Sequence, residues 1–418
     1  MNAPAISGLE PCVHCGFCMQ ACPTYLVTGD ESDSPRGRIV LMRSLARGSL
    51  STTEPRLAFH LDRCLGCLAC EPVCPSDVRY GTALEATRAL IAQSRPVPLV
   101  ARVVNTVMAD QRLRRPLLGL ARMVRPAAGV VAGRSRLGFA FGMLGATRSS
   151  GYLGKGQQAQ RKSASASPAT PAPSVTVFSG CIMEGLFSHV HEATRRALSA
   201  NGYRLTTVPH QGCCGALHAH TGDHDEAIDL ARRNVAAFAD YPDSVIAVNS
   251  AGCGAMLKEY GRLLVGDPLE SEAVALSERV RDVCELLVSQ GIRRRHTLAL
   301  KVAYDPPCHL LHAQRIADAP PTLLTSVPGI EMVQHSDAAM CCGSAGSYSL
   351  TEVGLSRTVL EQKVNALIAA NPDVVATGNP GCIMQIGAGL TAAGSKIPVV
   401  HPVEILDWSY AMAGFYNE

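Results

Sequence analysis

The sequence has few aromatic residues and few charged ones, and it lacks an apolar stretch long enough to cross a membrane. Aromatic residues make up 5% of the 418 residues, with one tryptophan, and charged residues make up 17%. A membrane-spanning helix needs about 18 apolar residues in a row, but the stretch VPLVARVVNTVMAD is interrupted by Arg102. The start, MNAPAISGLEPC, lacks the basic and apolar regions of a secretory signal. We therefore expect a cytoplasmic protein, either free or peripheral on the inner face of the cytoplasmic membrane.

The net positive charge of the whole chain is low, but one segment is strongly basic. The formal net charge of the chain is +3, whereas residues 95–155 carry ten arginines and one lysine against the single acid Asp110. This segment lacks the interleaved aromatic residues of nucleic-acid-binding surfaces, so we expect no nucleic-acid partner. Leu, Val and Met at helical intervals among the arginines suit peripheral membrane contact through residues 95–150, contact with another protein, or a solvated helix face.

Cysteine, in contrast, is abundant, and its spacing indicates metal binding. The chain has 17 cysteines, and eight of them lie in two copies of C-x2-C-x2-C-x3-C-P, within CVHCGFCMQACP and CLGCLACEPVCP. In this motif three thiolates bind one 4Fe-4S cluster and the fourth binds its neighbour. The predicted ligands are Cys12, Cys15, Cys18 and Cys74 for the first cluster, and Cys64, Cys67, Cys70 and Cys22 for the second. Structural zinc sites are the alternative, but zinc sites do not use such a crossed fourth cysteine.

The remaining part of the chain contains an internal duplication. Strand-like segments such as SVTVFSGC, YRLTTVP and SVIAVNSAGC alternate with helical segments, which predicts parallel βαβ units. LKVAYDPPC, GIEMVQ and DVVATGNPGC repeat the scheme, and four cysteine landmarks recur at offsets of 127 to 129 residues. Each repeat contains an adjacent cysteine pair followed by glycine, which we call the CCG pair.

Each repeat supplies four candidate metal ligands. The first and last cysteine follow predicted strands, and the carboxyl ends of parallel strands open onto a common edge. The candidates are Cys181, Cys213, Cys214 and Cys253 in the first repeat, and Cys308, Cys341, Cys342 and Cys382 in the second. Metal or iron-sulfur ligation is favoured because four ligands recur, while redox thiols and a structural remnant remain alternatives.

These motifs together resemble the iron-sulfur subunits of glycolate oxidase, within the wider family of heterodisulfide-reductase-like CCG-domain proteins. The likeness rests on CVHCGFCMQACPTYLVTGDESDSPRGRI, HLDRCLGCLACEPVCPSDVRY, GCCGALHAH, SAGCGAMLKEYG and CCGSAGSYSL. The resemblance implies two flavin-binding partner subunits that carry FAD, of which one oxidises glycolate to glyoxylate. Electrons would then cross the clusters of this chain to quinone or another membrane acceptor. The chain would be an electron carrier that does not bind the organic substrate, so we expect no catalytic residues.

The expected architecture is multidomain, with an α-helical dicluster ferredoxin-like domain followed by a duplicated α/β CCG domain with parallel sheets. The predicted divisions are a ferredoxin-like domain at 1–94, a basic helical segment at 95–153, a flexible linker at 154–174, and CCG repeats at 175–300 and 301–418.

Two features depart from the wider family. Its repeat ends in C-x2-C, but Ser250 and Asn379 replace the first of these cysteines here. The departure leaves a further 4Fe-4S cluster, zinc, or an empty site open in each repeat, and it counts against a disulfide reductase. The iron-sulfur subunit of an anaerobic glycerol-3-phosphate or lactate dehydrogenase remains the functional alternative.

Several other residues are candidates for lesser roles. His14, His309 and His335 lie near the cysteine motifs and could tune cluster potential or bind metal directly, and Arg36 and Arg38 could add positive charge near a cluster. An ordinary loop position is the competing interpretation for the histidines, and surface placement at a helix start is that for the arginines. Cys284 falls on an apolar stripe with Val280, Val283 and Leu287, which predicts a helix and a buried core thiol.

Overall fold

The computed structural model describes residues 5–150, 172–293 and 295–417, and it shows two parallel sheets of identical topology. The linker predicted over 154–174 lies almost wholly outside these residues. The strand orders are β2-β1-β3-β4 and β6-β5-β7-β8. The strands are β1 Ser174–Val177, β2 Arg204–Leu205, β3 Val245–Val248, β4 Val280–Asp282, β5 Leu300–Tyr304, β6 Ile330–Met332, β7 Val374–Ala376 and β8 Val399–Val400.

Every neighbouring strand pair is parallel, as the alternation of strands and helices predicted. Val175 pairs with Val245 in the first sheet, and Val302 pairs with Val374 in the second. The fourth strand of each sheet was not predicted. The predicted helix with Val280, Val283, Cys284 and Leu287 on one face was wrong at its start. Val280 lies in β4, and the helix begins only at Val283.

Helices connect the strands of both sheets. In the first repeat they are α8 Ile182–Leu186, α9 Ser188–Ala200, α10 Ala216–Thr221, α11 His224–Phe238, α12 Ala251–Lys258, α13 Tyr260–Leu263, α14 Glu270–Glu278 and α15 Val283–Ser289. In the second repeat, after the π-helical turn His309–Ala313, they are α16 Ala319–Thr325, α17 Tyr348–Thr351, α18 Val353–Ala370, α19 Pro380–Ala392 and α20 Pro402–Met412, with a final 3-10 turn at Phe415–Asn417.

The two repeats pack against each other through their helices. Helix α20 of the second repeat contacts α9 of the first, where Arg196 forms an ion pair with Asp407 at 2.9 Å. Asn201 also donates a hydrogen bond to the Tyr410 hydroxyl oxygen at 2.9 Å. A continuous apolar cluster links the two repeats, from Val175 to Trp408. Burial of this shared surface is the main source of cohesion between them.

The N-terminal region is helical, with the cysteine motifs in its loops. Its helices are α1 Pro23–Thr28, α2 Pro35–Ala46, α3 Pro55–Asp62 and α4 Tyr80–Ser94, with 3-10 turns at Phe17–Met19 and Glu31–Asp33. Helix α2 begins as the sequence specifies, since Pro35 occupies the first position and the Ser34 side chain accepts a hydrogen bond from the Gly37 amide at 3.0 Å.

The basic segment forms three helices that connect the N-terminal region to the repeats. They are α5 Leu99–Ala109, α6 Gln111–Val131 and α7 Arg136–Gly145. Helix α7 packs closely on α19, since a Cβ atom added at Gly142 would lie 3.2 Å from the Ala388 Cβ. Helix α6 contacts α8, where Arg114 pairs with Glu184 at 3.3 Å. Among the described residues, none of the helices combines the length and apolar character needed to cross a bilayer.

Candidate metal centres

The two N-terminal cysteine motifs share one loop conformation. In both motifs the third and fifth residues have positive φ angles, between 56° and 87°. These residues are His14 and Gly16 in the first motif, and Gly66 and Leu68 in the second. A left-handed residue between successive cysteines turns the chain back on itself. Equivalent turns in both copies allow successive sulfur atoms to point toward one centre.

These loops bring together the two sets of four cysteines that the spacing predicts. One cavity is lined by Cys12, Cys15, Cys18 and Cys74, and a second by Cys22, Cys64, Cys67 and Cys70. Cys70 also borders the first cavity. The fourth cysteine of each motif therefore lies with the first three of the other. Burial, together with the neighbouring sulfurs of Cys12, Cys74 and Cys15, raises the pKa of the Cys18 thiol to about 11.

The spacing of the sulfurs fits a cluster better than a single ion. A tetrahedral zinc with Zn–S bonds of about 2.3 Å would hold its four sulfurs roughly 3.8 Å apart. In the described part of the chain, no three cysteine sulfurs lie within 4.8 Å of one another. Together with the crossed ligand sets, this wider spacing agrees with two 4Fe-4S clusters.

The two sets differ in their exposure. In the first set Cys15 is exposed, and its neighbours Val13 and Phe17 are 70% and 65% exposed. In the second set Cys22, Cys64 and Cys70 are buried. The first set therefore lies at the protein surface, and the second lies between it and the CCG repeats.

A buried arginine lies beside the second set. Arg38 is fully buried, and its Nη1 atom donates to the Thr24 hydroxyl at 3.0 Å and lies 4.0 Å from the Cys22 sulfur. Burial alone would raise the pKa of the Cys64 thiol, but the guanidinium groups of Arg38 and Arg88 lower it. Surface placement is therefore the wrong interpretation for Arg38. It fits Arg36, which forms an ion pair with Glu31 at 2.7 Å on the surface.

Among the described residues, the rings of the three histidines singled out from the sequence form hydrogen bonds with groups other than cysteine sulfurs. His14 contacts the Arg43 guanidinium at 2.8 Å, and His335 contacts the Tyr304 carbonyl at 3.3 Å. His309 contacts the Gly66 carbonyl at 3.0 Å, and so it connects the second repeat to the loop of the second cysteine set.

Each CCG repeat brings its four cysteines together at the carboxyl edge of its sheet. In the first repeat Cys213 contacts Cys181 and Cys214, and the Cys214 and Cys253 sulfurs are 3.4 Å apart. The second repeat has the same order of contacts, since Cys341 touches Cys308 and Cys342, and Cys342 touches Cys382. All of these except Cys308 are buried. Each repeat thus presents a row of four sulfurs in contact.

The glycine after each CCG pair is required by the fold. Gly215 and Gly343 have φ angles of 87° and 80°. A Cβ atom at Gly343 would lie 2.5 Å from the Ser356 carbonyl oxygen, and one at Gly215 would lie 3.2 Å from that of Ala227. Glycine therefore lets the cysteine pair turn tightly beneath the next helix.

Asn379, which replaces a cysteine of the wider family, connects the two repeats. Its side-chain amide donates toward the Cys382 sulfur at 3.5 Å, and its oxygen accepts a hydrogen bond from the Gly252 amide at 3.2 Å. Gly252 precedes Cys253 of the first repeat, and the adjacent Ala251 amide donates to the Gly378 carbonyl at 3.1 Å. The two rows of sulfur atoms therefore lie on either side of one backbone junction.

The second repeat lies directly against the second N-terminal cysteine set. Cys67 and Cys308 pack into one apolar cluster with Cys341, Leu65 and Tyr348. Burial raises the pKa of the Cys67 thiol well above its usual range, and the nearby Cys308 sulfur raises it further. The Tyr348 hydroxyl also donates to the Arg63 carbonyl at 3.0 Å. Three of the four cysteine sets are therefore contiguous.

A buried lysine beside the second repeat was not predicted. Lys363 has no exposed side-chain surface, and its Nζ atom lies 2.5 Å from Asp305 Oδ1. The pKa of the Cys342 thiol is lowered mainly by hydrogen bonds from Cys341 and Cys382. The positive charge of Lys363 lowers it further. In the sequence Lys363 looks like any polar residue of an amphipathic helix. The one available signal was the duplication, because the equivalent position of the first repeat is the apolar residue Val235.

Comparison with known families identifies both parts of the chain. Residues 8–78 match the 4Fe-4S dicluster domain, and residues 175–258 and 302–387 match the cysteine-rich domain that carries the CCG motif. These matches confirm the predicted fold class and the iron-sulfur cofactors.

Two curated relatives cover almost the whole chain, and a third covers about half of it. A probable glycolate oxidase iron-sulfur subunit of Bacillus subtilis is 35% identical over 94% of this chain and 92% of its own length. The glycolate oxidase iron-sulfur subunit of Escherichia coli is 33% identical over 97% of this chain and 96% of its own length. Lactate utilization protein A of Geobacillus kaustophilus is 29% identical over 56% of this chain and 98% of its own length. The chain therefore belongs to the family of glycolate oxidase iron-sulfur subunits.

Proposed function

We propose that the chain transfers electrons within a glycolate oxidase complex, from flavin-binding partner subunits that oxidise glycolate to glyoxylate toward quinone or another membrane acceptor. The family relationship supports the iron-sulfur role. The observation that carries the transfer role is that Cys67 and Cys308 pack against the same apolar cluster, because this places the ferredoxin-like set beside the CCG repeats. The partners would carry FAD, and this chain would contribute no substrate-binding residue.

The proposed ligands are the sets that the structure brings together. They are Cys12, Cys15, Cys18 and Cys74 for one 4Fe-4S cluster, and Cys64, Cys67, Cys70 and Cys22 for the other. The CCG candidates are Cys181, Cys213, Cys214 and Cys253, then Cys308, Cys341, Cys342 and Cys382. Successive sulfurs in each row are in contact, and Cys214 and Cys253 are 3.4 Å apart, so a further iron-sulfur cluster and zinc are both candidate occupants of the CCG repeats.

The arrangement suggests an order for electron transfer. The first cluster set is at the surface, the second is buried, and the second CCG repeat follows at Cys308. The first CCG repeat comes last, because Asn379 and Gly252 join the two repeats. When bound, iron-sulfur clusters accept and release single electrons. The chain itself holds the centres close together and excludes water around the inner ones, and Arg38 and Lys363 place positive charge beside them.

The basic segment is a candidate for peripheral contact with the cytoplasmic membrane. Helix α6 exposes a stripe of apolar residues at helical spacing, and exposed arginines surround it. The stripe consists of Leu113, Leu117, Leu120, Val124 and Val131. An amphipathic helix that combines apolar residues with arginines suits an anionic bilayer surface. This contact would bring the chain near a quinone acceptor.

Substitution of Cys67 tests the proposed function. In a complex reconstituted with the flavin subunits, Cys67→Ala should leave glycolate-dependent flavin reduction intact but abolish electron transfer to quinone. Cys284→Ala is the control, because Cys284 is a buried cysteine that belongs to none of the four sets. A normal quinone reduction rate in the Cys67 variant would contradict the proposal.

A lactate-oxidising complex is the second candidate, because lactate utilization protein A is also a relative. A glycerol-3-phosphate dehydrogenase subunit and a heterodisulfide-reductase-like enzyme have less support, the latter because Ser250 and Asn379 stand where its repeat has cysteine. Purifying the chain with its native partners and testing glycolate against L-lactate would separate the first two candidates.

A further inference from the structure

The first CCG repeat contains a buried histidine that the second repeat lacks. His218 lies in α10, four residues after Cys214, and only 1% of its surface is exposed. The duplication places Gly346 at the equivalent position in the second repeat, where the φ angle is 64°. The two rows of sulfur atoms therefore have similar cysteine contacts but different neighbours.

The ring of His218 lies against the sulfur row. It is close enough to the Cys213 sulfur for a side-chain hydrogen bond. Its Nδ1 atom, however, has no hydrogen-bond partner of acceptable geometry in the described residues. Leaving a buried polar atom without a partner typically costs about 1–3 kcal/mol. A buried imidazole that adjoins the Cys213 sulfur and has a ring nitrogen without a protein partner has the properties of a metal ligand.

We propose that His218 is a nitrogen ligand of the metal centre in the first repeat, together with Cys181, Cys213, Cys214 and Cys253. The centre would then have mixed sulfur and nitrogen ligation, whereas the centre of the second repeat has cysteine ligands only. This inference rests on the proposed function in so far as it requires a metal centre in the first repeat.

Mixed ligation has a consequence for electron transfer. Neutral imidazole donates less negative charge than a thiolate, and histidine ligation raises the reduction potential of iron-sulfur centres. The first repeat would therefore have a higher potential than the second. Electrons that reach the repeats through Cys67 and Cys308 would then collect at the first repeat, at the far end of the series.

Isotope labelling tests this ligation in the unaltered protein. The holoprotein, purified anaerobically with its partners and partly reduced, is compared by pulsed electron paramagnetic resonance with the same protein containing ¹⁵N-histidine. We expect a strongly coupled nitrogen that changes with the label. His218→Gln should lose this signal, whereas His220→Gln should retain it, because the His220 ring contacts Glu85 and His309 instead. The absence of a label-dependent strong coupling in the unaltered protein, or its survival in His218→Gln, would overturn the inference.

A third substitution measures the effect on potential. His218→Cys supplies a thiolate at the same position, so it should keep the metal and make reduction of this centre about tenfold less favourable. An unchanged potential would count against ligation. If the repeat contains zinc, X-ray absorption at the zinc edge replaces the resonance measurement, and a shell of sulfur alone would refute the proposal. A first repeat that contains no metal would also refute the proposed ligation. If that protein still reduced quinone at the normal rate, the proposed electron-transfer function would remain supported.

Discussion

The Nζ atom of Lys363 lies 2.5 Å from the Oδ1 atom of Asp305, and both side chains are at least 98% buried. Lys363 also donates to the Asp337 carbonyl at 2.6 Å. Burial alone would lower the pKa of the Lys363 ammonium, but the Asp305 carboxylate raises it. The pair lies beside Cys342, so it supports the second CCG repeat with a fixed positive charge.

Lys363→Met should therefore destabilise the second repeat strongly. Removing one partner of a buried ion pair typically costs about 3–5 kcal/mol, because the other charge remains buried. We expect a lower denaturation midpoint in anaerobic unfolding by guanidinium chloride. Lys301→Met, at an exposed position of β5, should change it little. The double variant Lys363→Met with Asp305→Leu should recover part of the loss. A single variant as stable as the parent would exclude a structural role for the pair.

Arg38 should raise the reduction potential of the second ferredoxin-like cluster, because its charge lies near Cys22 and Cys64. Arg38→Gln removes this charge and should make reduction about tenfold less favourable, which is about 59 mV for a one-electron couple. Redox titration followed by electron paramagnetic resonance measures the shift.

Two further variants separate charge from packing at this position. Arg38→Lys keeps the charge and should retain most of the potential, whereas Arg36→Gln removes an exposed arginine and should have little effect. If Arg38→Lys lowered the potential as much as Arg38→Gln, hydrogen bonding to Thr24 would be the cause and not charge.

The sequence was most informative where chemistry dictates spacing. The cysteine intervals and the duplication indicated the four cysteine sets and three strands of each sheet. The strands β4 and β8 escaped because each leads almost directly into a helix, at Val283 and Pro402, so neither stands out as a separate element. Lys363 and His218 escaped for another reason. Their roles depend on burial beside residues distant in sequence, and neither periodicity nor spacing encodes that burial.

The apolar stripe of α6 should mediate binding to anionic membranes. Leu117 and Leu120 are 48% and 58% exposed, and replacing both with glutamate adds negative charge and removes apolar contact. We expect the double variant to lose most of its co-sedimentation with vesicles that contain phosphatidylserine. Val265→Glu, at a 69% exposed site of the first repeat, is the control and should bind normally. Equal binding by the double variant and the parent would assign the stripe to a protein partner.

The last prediction concerns His401, which caps helix α20. Its Nδ1 atom accepts a hydrogen bond from the Val403 amide at 3.1 Å, and the Glu404 carboxylate accepts one from the His401 amide at 3.0 Å. Burial, together with the nearby His191 and His189, lowers the pKa of His401 to about 3. The folded protein therefore keeps this ring neutral, while the unfolded chain binds a proton near pH 6.5.

Because the unfolded state binds the proton first, His401 stabilises the fold fully above pH 6.5 and loses its contribution as the pH falls toward 3. The loss should be on the order of 4 kcal/mol across that interval. His401→Asn retains a capping oxygen but cannot titrate, so its unfolding free energy should fall less steeply between pH 6.5 and 4.5 than that of the parent. Chemical denaturation at several pH values measures both slopes. Parallel slopes would mean that His401 does not contribute to the acid sensitivity of the fold.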